Sequence, residues 1–235
     1  MGDINMKYKV LIFDADETLF DFKKAEKEAF KETIIEFGID YDESYHFETY
    51  KIINKAIWKE LEQGLITQSK LKIERFKRLS DKLQIAFDEV EFANVYMKHL
   101  ANGSFLFEDS MDLVESIKDK YTLVIVTNGL TVVQEKRIKQ SSIAKYFKDI
   151  VISENVGVSK PNPGIFEYTL KDMTDISKNE VLMIGDSLSS DIQGGTNFEI
   201  DTCWYNPNKV ENKTNLKPTY EVCSLKELKN LLLNI

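Results

Sequence analysis

Tyr8-Lys9-Val10-Leu11-Ile12-Phe13 is a short apolar run that stops abruptly at acidic residues. Such a run predicts a buried strand whose C-terminal end opens onto a polar site. From about Asp21 the period changes. Ala25, Ala29, Phe30, Ile34 and Phe37 recur at helical spacing, with Gly38 placed to stop the helix. Phe47 to Leu61 predicts a second amphipathic helix ending before Gly64, Thr67 caps a third through Leu79, and Phe87 to Met97 predicts a fourth. No strand alternation appears in this stretch, so residues 19–100 are expected to form an all-helical insert. After Gly103 helices and strands alternate. The predicted strands are Leu123–Val126, Asp149–Ile152, Val181–Ile184 and Asp201–Tyr205; the predicted helices cover Leu113–Ile117, Val132–Gln140, Gly164–Leu170 and a Leu-rich end opened by a capping box at Ser224. Solidly apolar strands alternating with helices predict an α/β fold, a Rossmann-like open parallel sheet with helices on both faces. Residues 1–18 and 101–235 would build that core, with the polar stretch Asn206–Pro218 as a surface loop.

Length and composition narrow the class. At 235 residues, 43% apolar and 30% charged, the chain has enough material for one core and an insert, and is not a disordered or fibrous sequence. The formal charge of −8 argues against nucleic-acid polymers and anionic lipid surfaces as partners, while a locally positive pocket still admits a small anion. Two cysteines without CxxC spacing and two histidines leave no disulfide framework and no multi-histidine metal site. The N-terminal apolar run is too short for a signal segment or a membrane span, and a cytoplasmic location is the expectation.

In an open parallel sheet, functional residues gather where the chain leaves the C-terminal strand ends. Four exits carry chemistry: Asp14-Ala15-Asp16-Glu17-Thr18, Thr127-Asn128-Gly129, Ser159-Lys160-Pro161, and Gly185-Asp186-Ser187 with Asp191. Singly, each has an ordinary reading: an Asp after a strand caps a helix, Asn-Gly makes a turn, and a lysine sits in solvent. Together they place three carboxylates at one mouth, where they would repel one another unless a cation sat among them. A hard divalent ion with oxygen ligands meets that need, and Mg2+ is preferred where phosphate completes its shell. Thr127 and neighbouring amides can donate to an oxyanion, and Lys160 adds fixed positive charge. The pattern points to phosphoryl transfer.

These motifs resemble the haloacid dehalogenase superfamily of phosphatases and related hydrolases. Its four motifs stand here in order as DADET (Asp14–Thr18), VTN (Val126–Asn128), SKPNP (Ser159–Pro163) and GDSLSSD (Gly185–Asp191), and the helical insert is similar to the family's type 1 cap. The resemblance implies that Asp14 is the nucleophile and forms an aspartyl-phosphate, and that Asp16 protonates the leaving alcohol and later helps deprotonate water. It implies that Thr127 and the Asn128 amide hold phosphoryl oxygens and that Lys160 bridges phosphate and Asp14. It implies that Mg2+ is held by Asp14, the Asp16 carbonyl and Asp186, with Asp191 supporting them from behind and Ser187 either joining it there or capping a helix. Asp16 separates this chain from the dehalogenases, whose halide leaving group needs no proton. Glu17 departs from the commonest pattern, which has Gly there; this puts the usual tight turn in question, and a Glu17 side chain directed toward a substrate sugar is one reading.

DADETLFDF, VISENVGVSKPNP and CWYN resemble the bacterial pyrimidine nucleotide 5'-nucleotidases. That branch implies a small phosphate monoester, a nucleoside 5'-monophosphate, as substrate, with the cap over the base. Phe22, Phe47, Tyr50 and Trp58 are then either pocket residues or helix core, and His99 either meets substrate or lies on the surface. A broad sugar-phosphate phosphatase and a phosphomutase similar to β-phosphoglucomutase are the alternatives. A binding protein without turnover is disfavoured, because every reacting group is retained.

Overall fold

Among the described residues, six strands form one parallel sheet: β1 (Val10–Phe13), β2 (Thr122–Thr127), β3 (Asp149–Ile152), β4 (Val181–Gly185), β5 (Asp201–Tyr205) and β6 (Tyr220–Val222). Their order is β3-β2-β1-β4-β5-β6, the Rossmann-like arrangement expected from the alternating pattern. The computed structural model describes residues 6–235. Residues 1–5, the start of the segment assigned to the sheet core, lie outside the described residues. β1 sits centrally, with Ile12 in register with Val124 of β2 on one side and Met183 of β4 on the other. All four residues of β1 and all five of β4 are buried, so both sheet faces are covered, which is why these strands read as unbroken apolar runs.

On one face Val10, Ile12, Val124, Val126 and Met183 pack with Ile165 and Phe166 of α8 (Gly164–Leu170) and Phe198 of α9 (Gln193–Phe198). The Phe166 and Phe198 rings stack at 5.5 Å. Helices α5 (Ser110–Ile117) and α10 (Leu225–Leu233) pack against each other, burying Leu113, Val114, Ile117, Leu228 and Leu232. The Ser224 hydroxyl accepts from Glu227 N at 3.1 Å, the N-cap expected for α10. β6 was not expected. Its three residues include a single buried one, Val222, and it pairs only with β5 at the sheet edge, so its sequence carries no apolar run.

The chain divides into two compact units. The sheet unit takes the residues through Asp21, then Leu106–Thr131 and Lys139–Ile235; the helical unit takes Phe22–Phe105 and Val132–Ile138. This grouping differs from residues 19–100 in three places, each with a local cause. Leu19–Asp21 stay with the sheet because Leu19 O accepts from Phe107 N (3.1 Å) and from the Ser110 hydroxyl (2.7 Å). Ala101–Phe105 join the helices: a Cβ on Gly103 would lie 2.7 Å from the Ala25 Cβ, and the Lys24 ammonium sits 4.4 Å from the Phe105 ring centroid. Val132–Ile138 belongs to α6 (Thr131–Lys139) and joins the helices through Arg137, whose guanidinium lies over the Phe22 ring and whose carbonyl accepts from the Ser104 hydroxyl at 2.6 Å.

The helical unit contains α1 (Phe22–Glu36), α2 (Glu48–Glu62), α3 (Gln68–Leu83) and α4 (Glu89–Asn102). Its centre is aromatic: Phe30 stacks on Tyr50 at 4.6 Å, Tyr50 on Phe76 at 5.8 Å, and Phe87 on Phe92 at 4.3 Å. The Tyr50 hydroxyl is satisfied by Tyr96 at 2.8 Å. Phe47 and Tyr50 are therefore core residues, while Phe22 and Trp58 are half-buried. His99 pairs with Glu36 at 2.8 Å on this unit's own surface. Among the described residues no helix is long and apolar enough to cross a membrane.

Candidate active site

The sheet reverses its winding between β1 and β4, and ligands of open α/β sheets bind outside the carboxyl ends of strands at such a point. Asp14 follows β1 directly, and its N–H donates to Ile184 O at 2.8 Å, extending the pairing one residue past the strand. Asp186 follows β4 on the other side of the reversal. Thr127 ends β2 and is buried in register with Ile152. Lys160 arrives from the chain after β3 and α7 (Ser153–Val156). All four expected exits therefore converge on one sheet edge.

Lys160 is the hub. Only 1% exposed, its ammonium donates to Asp14 Oδ1 and to Val126 O, both at 2.6 Å, and pairs with Asp191 Oδ1 at 2.8 Å. Burial works to lower its pKa, but the Asp14 and Asp191 charges outweigh burial and hold the ammonium above its ordinary value. A lysine that composition alone would put in solvent is thus locked in its charged form.

The carboxylates carry more negative charge than this ammonium balances. Asp14 is pushed up to about 6, first by burial and then by Asp191, against the opposing pull of Lys160. Asp186 is pushed up to about 8 by burial, then by Asp14, Asp191 and Glu17. One oxygen from each of Asp14, Asp186 and Asp191 lies within 4.8 Å of the others, an oxygen-only donor set suited to a hard divalent cation. The residues fit such an ion. Within the set, Asp191 is already engaged: Oδ1 pairs with Lys160, and Oδ2 accepts from Ser187 N at 3.0 Å. Asp14 likewise accepts from Lys160 through Oδ1, which leaves Asp186 as the more available donor.

The motif loops are held by contacts that spacing does not reveal. The Asn128 side chain grips the Lys160 backbone at both ends, Nδ2 donating to Lys160 O at 2.7 Å and Oδ1 accepting from Lys160 N at 2.8 Å. Its side chain is thereby committed to the protein. Ser187 caps the π-helical turn Leu188–Ile192, its hydroxyl accepting from Ser190 N at 3.2 Å. The cap expected of Ser187 is present, and its backbone N–H also holds Asp191. Gly185 was missed as a site residue: a Cβ there would meet Asp191 Oδ2 at 2.2 Å, so only glycine lets that carboxylate approach. The signal was the glycine preceding the acid of the fourth motif.

Asp16 and Glu17 occupy the turn after Asp14 and are half-buried. The tight turn survives without glycine, Leu19 N and Phe20 N both donating to Ala15 O at 3.0 and 2.9 Å. Glu17 adopts φ 61°, the left-handed region that favours glycine. Such a residue costs about 1–2 kcal/mol relative to right-handed backbone. Glu17→Gly is therefore expected to raise unfolding free energy by about 1 kcal/mol, read from urea denaturation; an unchanged or lower value would mean that the turn bears no such cost.

The family described as haloacid dehalogenase-like hydrolase matches residues 8–198. Pyrimidine 5'-nucleotidase PynA of Streptococcus pneumoniae is 40% identical over 97% of this chain and 96% of its own length. Pyrimidine 5'-nucleotidase YjjG of Escherichia coli is 33% identical over 97% and 99%. The crystal structure of the HAD-hydrolase YfnB of Bacillus subtilis, bound to magnesium, is 34% identical and superposes with a TM-score of 0.91 over 97% of this chain and 100% of that one.

Proposed function

The chain belongs to the haloacid dehalogenase-like hydrolases, and from that premise we propose that it is a Mg2+-dependent phosphatase acting on pyrimidine nucleoside 5'-monophosphates. The observation that carries the chemistry is the buried Lys160 ammonium joining Asp14 to Asp191 beside Asp186. The nucleotidase assignment is supported by two relatives of that activity that align over nearly the whole chain.

In this reading Asp14 attacks phosphorus in line. Its oxygen forms a bond to phosphorus as the bond to the ester oxygen breaks, and Asp16 gives its proton to the departing alcohol. Thr127 and the Asn128 N–H donate to the phosphoryl oxygens, and Lys160 offsets their charge against Asp14. Asp16, now ionised, takes a proton from water as the water oxygen bonds to phosphorus and the Asp14 carboxylate leaves. Asp14, the Asp16 carbonyl and Asp186 would hold Mg2+, with Asp191 steadying both metal side and lysine. A bound Mg2+ supplies a Lewis acid that lessens repulsion between phosphate and carboxylate.

The test is phosphate release across a panel of nucleoside 5'-monophosphates and sugar phosphates, with Mg2+ or with EDTA. The expected result is release that EDTA abolishes and that favours UMP, dUMP or dTMP over purine nucleotides and sugar phosphates. A preference for sugar phosphates would overturn the substrate class while leaving the chemistry. Interconversion of sugar phosphates without phosphate release would favour the mutase reading.

A further inference from the structure

Asp186 is held in place by a residue outside the four motifs. Trp204 lies on β5 in register with Gly185, the residue that precedes Asp186 on β4. Its indole Nε1–H donates to Asp186 O at 2.8 Å. The next polar atom along the chain, Ser187 N, donates to Asp191 Oδ2 at 3.0 Å. The peptide unit between Asp186 and Ser187 is thus gripped at both poles, its carbonyl by Trp204 and its N–H by Asp191. Gly185 is fixed on the other side by the sheet ladder. With the backbone pinned before and after it, the Asp186 Cα–Cβ direction is set, and so is the region its carboxylate can reach.

We infer that Trp204 is a positioning residue for the divalent cation, aiming Asp186 through its backbone carbonyl. The inference rests on the metal role given to Asp186 above. The choice of residue type supports it. Trp204 is 4% exposed, and a phenylalanine or leucine would fill apolar space there, but neither carries a donor. Second-layer partners of metal ligands typically change affinity by about 10–100-fold when removed. The indole is also a reporter, because the chain has two tryptophans and the other, Trp58, lies on α2 of the helical unit.

Two measurements on the full chain without substrate test this. Calorimetric titration with Mg2+ alone is expected to show binding weakened about 10-fold or more in Trp204→Phe, with Trp58→Phe matching the parent. A purely structural role would lower thermal stability in EDTA but leave Mg2+ affinity unchanged. In Trp58→Phe, where Trp204 is the remaining indole, saturating Mg2+ is expected to change the emission, and this readout does not depend on Trp204→Phe folding. Equal Mg2+ affinity in parent and folded Trp204→Phe, or emission in Trp58→Phe that ignores Mg2+, overturns the positioning role alone. Absence of Mg2+ binding by the parent overturns that role and the metal reading together.

Discussion

Asp14→Asn is expected to lower the rate of phosphate release by about 10⁴-fold or more, the scale seen when a nucleophile is removed from a cooperating set. Asparagine keeps the shape of the side chain but has no carboxylate oxygen to form the aspartyl-phosphate. Stability should respond quite differently. The Asp14 carboxylate is buried among like charges and pushed up to about 6, so the fold holds its ionised form at a cost. The variant loses one partner of Lys160, yet Asp191 remains 2.8 Å from the ammonium. Unfolding free energy in EDTA is therefore expected to change by no more than about 1 kcal/mol, a trade of activity against stability that reacting groups commonly show. Steady-state phosphate release and urea denaturation of the same preparation check both halves. Near-parental turnover in a folded Asp14→Asn protein would remove Asp14 from the nucleophile's role.

Lys160→Met is expected to damage both properties. Removing one partner of a buried charge cluster leaves the others uncompensated and typically costs about 3–5 kcal/mol. Here Asp14 and Asp191, 7% and 1% exposed, would face each other with Asp186 alongside and no ammonium between them. The Asp14 Oδ1 and Val126 O bonds would be lost as well. Urea denaturation in EDTA should show that loss, and added Mg2+ should recover part of it by restoring positive charge. A loss below about 1 kcal/mol would mean that the cluster is not energetically coupled through Lys160. Phosphate release should fall with the loss of charge neutralisation at Asp14.

The parts of the fold that were legible are those where burial on two faces leaves a simple mark. β1 and β4 read as apolar runs because both faces are covered, and the acids that end them stand out against that background. β6 was illegible because an edge strand with one buried residue has no such mark. The sequence of α6 announces a helix but not which unit it joins. Its buried residues include Gln134 and Arg137, polar side chains that leave no apolar stripe, and the contacts of Arg137 with Phe22 and Ser104 are distant in sequence. Within the site the clustered residues, Asp191 and Ser187 included, were legible from their order along the chain, whereas several of the contacts that hold them were not. The Asn128 grip on Lys160, the space kept by Gly185 and the indole of Trp204 all depend on which strand lies beside which. Glu17 shows the opposite case: glycine is the rule for a left-handed turn, and the turn forms at φ 61° with glutamate in its place.

In the proposed reaction the phosphoryl group passes through a covalent bond to Asp14. The most direct test of that step is acid quenching during turnover of a pyrimidine nucleoside monophosphate with Mg2+, followed by peptide mass analysis. Asp16→Asn should be run alongside with p-nitrophenyl phosphate, whose leaving group departs without a proton, because without that base the second step slows and the adduct accumulates. The expected result is one phosphoryl group on the peptide that contains Asp14, absent in EDTA and absent in Asp14→Asn. Turnover with a phosphoryl group on another residue, or with none in either protein, would remove Asp14 as the nucleophile.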